Sequence, residues 1–107
     1  MAKLPGDSVR GSTTGRPIMV LLEVLGKRWT LRILWELSSG GSANFRDLRA
    51  RCNDVSPTVL NRRLKELREL ALVEHNEGGY DLTPQGEQLS KMLLPLDSWA
   101  NKWAKTL

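Results

Sequence analysis

The feature that most constrains the fold is a fifteen-residue segment, SPTVLNRRLKELREL, at residues 56–70. It opens with Ser56, whose hydroxyl can accept from a free backbone N–H, and Pro57, which suits a first helical position because no N–H is needed there. Leu60, Leu64 and Leu67 follow at helical spacing, so one side of the helix is apolar. The segment therefore predicts a short amphipathic helix with one buried side.

The opposite side of this helix carries polar and basic side chains. At about 100° per residue, the residues that fall there are Thr58, Asn61, Arg62 and Lys65. Arginine bonds bidentately to guanine and asparagine to adenine when a helix enters the major groove of DNA. The outward face therefore has the chemistry of a DNA contact, with Arg62 as the best base-reading candidate.

A solvated surface is the alternative interpretation of the same face. The spacing i to i+4 would pair Arg62 with Glu66 and Lys65 with Glu69. Arg63 lies beside the leucine stripe, so it is either a DNA contact or one half of a structural ion pair. The helix alone leaves both interpretations open.

The chain on either side predicts further elements. Helices are expected at residues 17–26, 29–39 and 45–52, and a tight turn at residues 53–55 joins the last of them to the Ser56 helix, which makes a helix-turn-helix. Two short strands around a Gly-containing turn predict a hairpin, or wing, at residues 73–82. A final helix starts at Pro84 and runs, with an interruption at Pro95, to about Lys105. The predicted fold class is mainly α with a small β-hairpin, a winged helix-turn-helix.

The first and last helices carry more apolar residues than one core needs. The first is almost continuously apolar, and the last has an apolar seam spaced alternately four and three residues apart, which calls for a partner helix. They are predicted to be dimerisation helices, with interface residues Ile18, Leu21, Leu22, Leu89, Leu93, Leu96, Trp99 and Trp103. A pocket between the helices of a dimer, suited to a small-molecule effector, is the alternative for the seam.

Composition sets the class of protein. The 107 residues suit one domain; residues 1–15 predict a disordered tail and residues 16–107 the domain. Seven basic residues oppose four acidic ones in residues 43–70, so three of the four net positive charges lie around the helix-turn-helix. Because no stretch approaches the roughly 20 apolar residues of a membrane span and no apolar signal core opens the chain, we expect a cytoplasmic protein without a membrane partner.

Two residues invite chemical interpretations that the sequence does not favour. The single cysteine, Cys52, lies near a predicted helix C-terminus, where the helix dipole disfavours a thiolate, although Arg49 and Arg51 act the other way. We interpret it as a small buried hydrophobe rather than a redox sensor. His75 has no ligand set around it, so no metal is expected. No nucleophile–base pair or phosphate-binding loop occurs, so no enzymatic activity and no cofactor are expected.

Four segments together resemble the HxlR-type winged helix-turn-helix regulators: LLEVLGKRWTLRILWEL, FRDLRARCNDVSPTVLNRRLKELRELALVE, YDLTPQGEQL and LLPLDSWANKWA. The resemblance covers about residues 16–105. It implies a cytosolic bacterial or archaeal transcription regulator, usually a repressor, that binds a roughly palindromic double-stranded DNA operator as a homodimer. The residues it places on the recognition helix are Ser56, Thr58, Asn61, Arg62 and Arg63.

Two further expectations concern phosphate contacts and thiol sensing. Ser56 and Thr58, with Arg46 and Arg49 on the preceding helix, are expected to contact phosphate rather than bases. Many family members sense oxidants through a cysteine before the proline of the first helix, where this chain has Arg16, so thiol sensing there is excluded.

The wing is also shorter than is usual in the family, which puts His75, Asn76 and Tyr80 in doubt as DNA contacts. A winged helix used for protein interaction, or for DNA binding without sequence preference, is the alternative function.

Overall fold

The computed structural model describes residues 2–107, which contain five α-helices and two β-strands. In chain order the elements are α1 Pro17–Leu25, α2 Thr30–Gly40, α3 Phe45–Arg51, α4 Pro57–Glu69, β1 Val73–Asn76, β2 Gly79–Leu82 and α5 Pro84–Ala104. The predicted fold class, a helix-turn-helix followed by a hairpin wing, is confirmed. The predicted bounds of α1 to α4 differ from these by one residue at most at either end.

The core lies between α2, α3 and α4, beneath the hairpin. Its largest fully buried side chains are Ile33, Leu34, Leu37, Leu48, Leu60, Leu64 and Leu67. The last three are the leucine stripe predicted for residues 56–70, so that side of α4 faces inward as expected. Because burying one such side chain contributes about 1.5–3 kcal/mol, the stripe determines which face of α4 remains outside.

Hydroxyl side chains cap the starts of α4 and α5. The Ser56 hydroxyl accepts from the Val59 N–H at 3.4 Å, as the sequence predicted. The Thr83 hydroxyl accepts from the Gly86 N–H at 3.1 Å and donates to the Ala71 carbonyl at 2.6 Å. Thr83 therefore starts α5 and also ties that start to the chain leaving α4.

The wing is a tight antiparallel hairpin in which Val73 pairs with Leu82 and Asn76 with Gly79. Ala43, just before α3, exchanges two backbone hydrogen bonds with Tyr80, at 2.7 and 3.0 Å. This approach requires Gly79, whose φ is +107° and where a Cβ would lie 2.5 Å from the Ala43 carbonyl oxygen. The base of the wing is thus fastened to the start of the helix-turn-helix.

The final helix differs from the prediction, because α5 continues through Pro95 without interruption. Proline has no N–H to donate to the carbonyl four residues earlier, that of Lys91. Both residues are exposed, so water can solvate this carbonyl and the helix continues. None of the helices in residues 2–107 is long and apolar enough to cross a membrane.

Residues 2–15 form turns without a helix. The Gly6 N–H donates to the Gly15 carbonyl at 2.9 Å, and Val9 and Ser12 exchange hydrogen bonds of 2.9 and 3.0 Å. The Ala2 N–H donates to a carboxylate oxygen of Glu69 at 3.2 Å, at the end of α4. The disordered tail and the domain boundary at residue 16 stay predictions.

Candidate nucleic-acid interface

The turn between α3 and α4 depends on two successive residues in the left-handed region. Asn53 and Asp54 have φ values of +55° and +56°, which asparagine and aspartate adopt more readily than other residues with a side chain. The Asp54 N–H donates to the Arg49 carbonyl at 2.9 Å and the Val55 N–H to the Cys52 carbonyl at 3.2 Å. The chain thus reverses sharply and directs α4 away from α3, as a helix-turn-helix requires.

The outward face of α4 is exposed along its first turns. The exposed residues include all the predicted contacts on this helix except Arg63, namely Ser56, Thr58, Asn61, Arg62 and Lys65. In residues 2–107, neither Arg62 nor Lys65 forms an ion pair. The alternative interpretation of this face expected ion pairs from Arg62 to Glu66 and from Lys65 to Glu69. Neither pair forms, so that expectation is wrong. The two cations are free to contact a phosphate or a base edge.

Arg63 lies in an ion-pair cluster with Glu66 and Lys27, here called the Glu66 cluster. One Glu66 carboxylate oxygen lies 2.5 Å from Nη1 of Arg63, and the other accepts from the Lys27 ammonium. Nε of Arg63 donates to the Arg28 carbonyl at 2.9 Å. The Arg63 side chain is only 15 % exposed. Of the two roles that the sequence left open for Arg63, the structure therefore shows the ion pair.

The Glu66 cluster fastens α4 to the loop between α1 and α2. Burial by itself opposes ionisation of Glu66, but the hydrogen bonds from Lys27 and Arg63 outweigh it, so the pKa of this carboxyl is lowered. The carboxylate is therefore charged at neutral pH. The sequence contained part of the signal, because Arg63 and Glu66 have i to i+3 spacing, but Lys27 lies 39 residues away.

The two candidate residues on α3 occupy different environments. Arg46 is exposed on the first turn of α3, which Asn44 caps by accepting from the Asp47 N–H at 2.8 Å. Arg49 is half-buried, and its Nε donates to the Val55 carbonyl at 2.8 Å. Arg49 therefore braces the turn before α4, while Arg46 is available to a partner; DNA contact by either residue stays a prediction.

The wing has little that would attract DNA. Residues 73–82 include three acidic residues and no lysine or arginine. His75 stacks on the buried Tyr80 with ring centroids 4.0 Å apart, and the Asn76 side chain accepts from the Gly78 N–H at 2.9 Å within the turn. These three side chains make contacts within the hairpin. Because residues 73–82 contain no lysine or arginine, the basic residues of this region lie on α3 and α4.

Cys52 is fully buried at the C-terminal end of α3. Burial raises the pKa of its thiol more than the nearby guanidinium of Arg32 lowers it. The predicted burial of Cys52 is confirmed.

The predicted interface residues on the terminal helices divide into two groups. Leu21 and Leu89 pack against the core, and Leu93 is half-buried. The remaining residues are about half exposed, and we call this set on α1 and α5 the apolar end surface: Ile18, Leu22, Leu96, Trp99 and Trp103. The two tryptophan rings stack with centroids 5.9 Å apart. Large exposed apolar surfaces of this kind mark interaction sites.

Two short helices around a left-handed turn, an exposed basic face on the second helix and a hairpin after it define a winged helix-turn-helix protein. Residues 24–107 match the family model described as HxlR-like helix-turn-helix. The chain therefore belongs to the HxlR-like family, as its motifs indicated. The named members of this family are transcriptional regulators, not a class of enzymes.

Three relatives illustrate the similarity. An uncharacterized HTH-type transcriptional regulator of Bacillus subtilis, YvaP, is 32% identical over 89 residues, which cover 77% of this chain and 82% of YvaP. The crystal structure of quinone-bound YodB from B. subtilis superposes with a TM-score of 0.74 at 29% identity, covering 79% of this chain and 96% of that one. A possible HxlR family factor from Thermoplasma volcanium has a TM-score of 0.68 at 33% identity, covering 83% of this chain and 85% of that one.

Proposed function

We propose that this protein is a sequence-specific regulator that binds double-stranded DNA through α4. The observation that carries the proposal is the exposed, unpaired group Asn61, Arg62 and Lys65 on the first turns of a helix whose other side is buried. These side chains match the hydrogen-bonding groups of adenine, guanine and phosphate. Membership of a family of transcriptional regulators supports the same conclusion.

In this proposal the protein acts in the cytoplasm as a homodimer on a palindromic operator. Its mode of regulation is repression. The apolar end surface supports dimerisation, because about half of each of its side chains lies in water in the monomer. A two-fold dimer would place its two α4 helices in successive major grooves about 34 Å apart. YodB has been crystallised with a quinone bound, which supports a small-molecule effector for this chain as well.

Selection from a randomised duplex pool, followed by mobility-shift titration, tests sequence specificity. We expect a selected palindrome to bind at least about 1,000-fold more tightly than random duplex at physiological salt, as specific regulators do. Equal affinity for both would contradict the regulator proposal and favour the alternative, a winged helix that binds DNA without sequence preference or binds another protein.

Replacing Arg62 with alanine is expected to weaken operator binding by about 1–3 kcal/mol and to relax the preference at one base pair of each half-site. The guanidinium is exposed and unpaired, so its removal costs little in the free protein. Arg68→Ala is the matched control, since Arg68 is exposed on the last turn of the same helix, and it should leave the base preference unchanged. Unaltered preference in Arg62→Ala would show that another face of α4 reads the bases.

Replacing Arg46 with alanine is expected to weaken binding to selected and random duplexes by a similar factor. The reason is that a phosphate contact carries no sequence information. The slope of log affinity against log salt should fall by about one unit. A loss confined to the selected duplex would instead assign Arg46 to base recognition.

A further inference from the structure

A partly open cavity of about 230 Å³ lies between the C-terminal half of α2 and the middle of α5, away from the exposed face of α4. Its lining residues are Trp35, Ser38, Ser39, Ser90, Leu93 and Leu94. None of these side chains is charged. The cavity therefore offers an indole ring and two leucines as apolar contacts, with hydroxyl groups as its only side-chain hydrogen-bonding groups besides the indole N–H.

One of these hydroxyl groups has no partner. Ser90 is 7 % exposed, and within residues 2–107 its hydroxyl is shielded from solvent and makes no hydrogen bond. Ser39 differs, because its hydroxyl donates to the Trp35 carbonyl at 2.9 Å. A buried polar group without a partner is costly. An occupant with an oxygen atom near Ser90 would remove that cost.

We propose that the cavity binds a neutral aromatic compound of one or two rings that carries a hydroxyl or carbonyl oxygen. An apolar protein cavity of about 150 Å³ holds benzene, so 230 Å³ accommodates a larger ring system. Trp35, Leu93 and Leu94 contact the rings, and Ser90, which lines the cavity, provides its unpartnered hydroxyl to the oxygen. A carboxylate is disfavoured, because no cation lines the cavity to compensate for its burial.

The role of this site as an effector site rests on the proposed function. Leu93 and Leu94 immediately precede Pro95, where α5 lacks a backbone hydrogen bond and bends most easily. An occupant wedged between α2 and these leucines therefore shifts the following turns of α5, which carry Trp99 and Trp103. That shift changes how two copies meet at the apolar end surface and hence the spacing of their α4 helices.

Titration of the full chain, without DNA, with 2-naphthol tests the site directly. In ¹H–¹⁵N NMR spectra we expect saturable shifts of the Trp35 indole and the Ser38 and Ser90 amides. Naphthalene, which lacks the oxygen, should bind more weakly, and 2-naphthoate should not bind. Ser90→Ala should weaken 2-naphthol binding about threefold to tenfold and leave naphthalene binding unchanged. Ser39→Ala is the matched control and should leave 2-naphthol binding unchanged, because its hydroxyl already has a partner.

Any one of four results would overturn the site. The first three are the absence of saturable shifts, shifts centred elsewhere, and equal 2-naphthol affinity in Ser90→Ala and the natural chain. The fourth is a change of the Trp35 indole signal with protein concentration in the absence of any probe. Such a change would show that a second copy of the chain covers the cavity. Because binding is measured without DNA, loss of operator binding in the mobility-shift titration would contradict the proposed function and leave this site standing.

Discussion

Replacing Trp103 with aspartate is expected to convert the proposed dimer into monomers and to lower affinity for the proposed operator about 100-fold or more. Trp103 is 49 % exposed in the single chain and stacks on Trp99, so in the proposed dimer it lies within the apolar end surface. A carboxylate buried there has no counter-ion and is strongly unfavourable. A monomer holds only one half-site and loses the gain of about 10²–10⁴ that comes from linking two binding modules.

Sedimentation velocity measures the oligomeric state, and mobility shift on the selected palindrome measures affinity. Asn101→Asp is the matched control, since it also adds one negative charge to the exposed end of α5 but lies on the opposite side of the helix from Trp103. It should remain dimeric. An unchanged dimer in Trp103→Asp would show that the interface lies elsewhere, whatever happened to DNA binding.

Much of the fold was predictable because its signals are local. Ser56 and Thr83 accept hydrogen bonds at their helix starts, and Pro57 and Pro84 occupy first helical positions, as their residue types indicate. Pro95 shows where local signals fail. The cost of a proline within a helix depends on whether the carbonyl it leaves free can reach water, and that depends on which side of α5 faces the core.

The candidate site was predictable to a similar extent and for similar reasons. The exposed positions Asn61, Arg62 and Lys65 follow from helical periodicity once the leucine stripe is buried. The role of Arg63 does not follow, because its ionic partner Glu66 is shared with Lys27 on a distant segment. The unpartnered hydroxyl of Ser90 is likewise a property of packing between α2 and α5, which no spacing along the chain shows.

Arg62 and Arg63 are neighbours on α4, but of the two only Arg63 is held in an ion pair within residues 2–107. Arg62 is available to a ligand because Glu66, four residues on, is already engaged by Lys27 and Arg63. The cluster thus removes the carboxylate that would otherwise neutralise the exposed guanidinium of Arg62. It also anchors α4 to the loop that follows α1, so the orientation of the proposed recognition helix is linked to a helix of the proposed dimer interface.

Replacing Glu66 with glutamine is expected to lower the free energy of unfolding by about 2 kcal/mol at neutral pH. Removing one partner of a buried ion pair costs about 3–5 kcal/mol, and we expect less here because the Lys27 and Arg63 side chains are 30 % and 15 % exposed. Chemical denaturation measures the change. Glu69→Gln, on the same helix but exposed, is the matched control and should cost below about 1 kcal/mol.

The pH dependence of this difference separates lost charge from lost packing. The pKa of Glu66 is lowered in the folded protein from its ordinary value of 4.5, so the unfolded chain binds its proton first as pH falls. The stabilisation is therefore complete above pH 4.5 and declines as pH falls through the lowered pKa. Protonated Glu66 resembles glutamine, so the two proteins should converge in stability under acidic conditions. A difference that persisted unchanged in acid would assign the effect to packing, because the ion pairs would no longer exist to account for it.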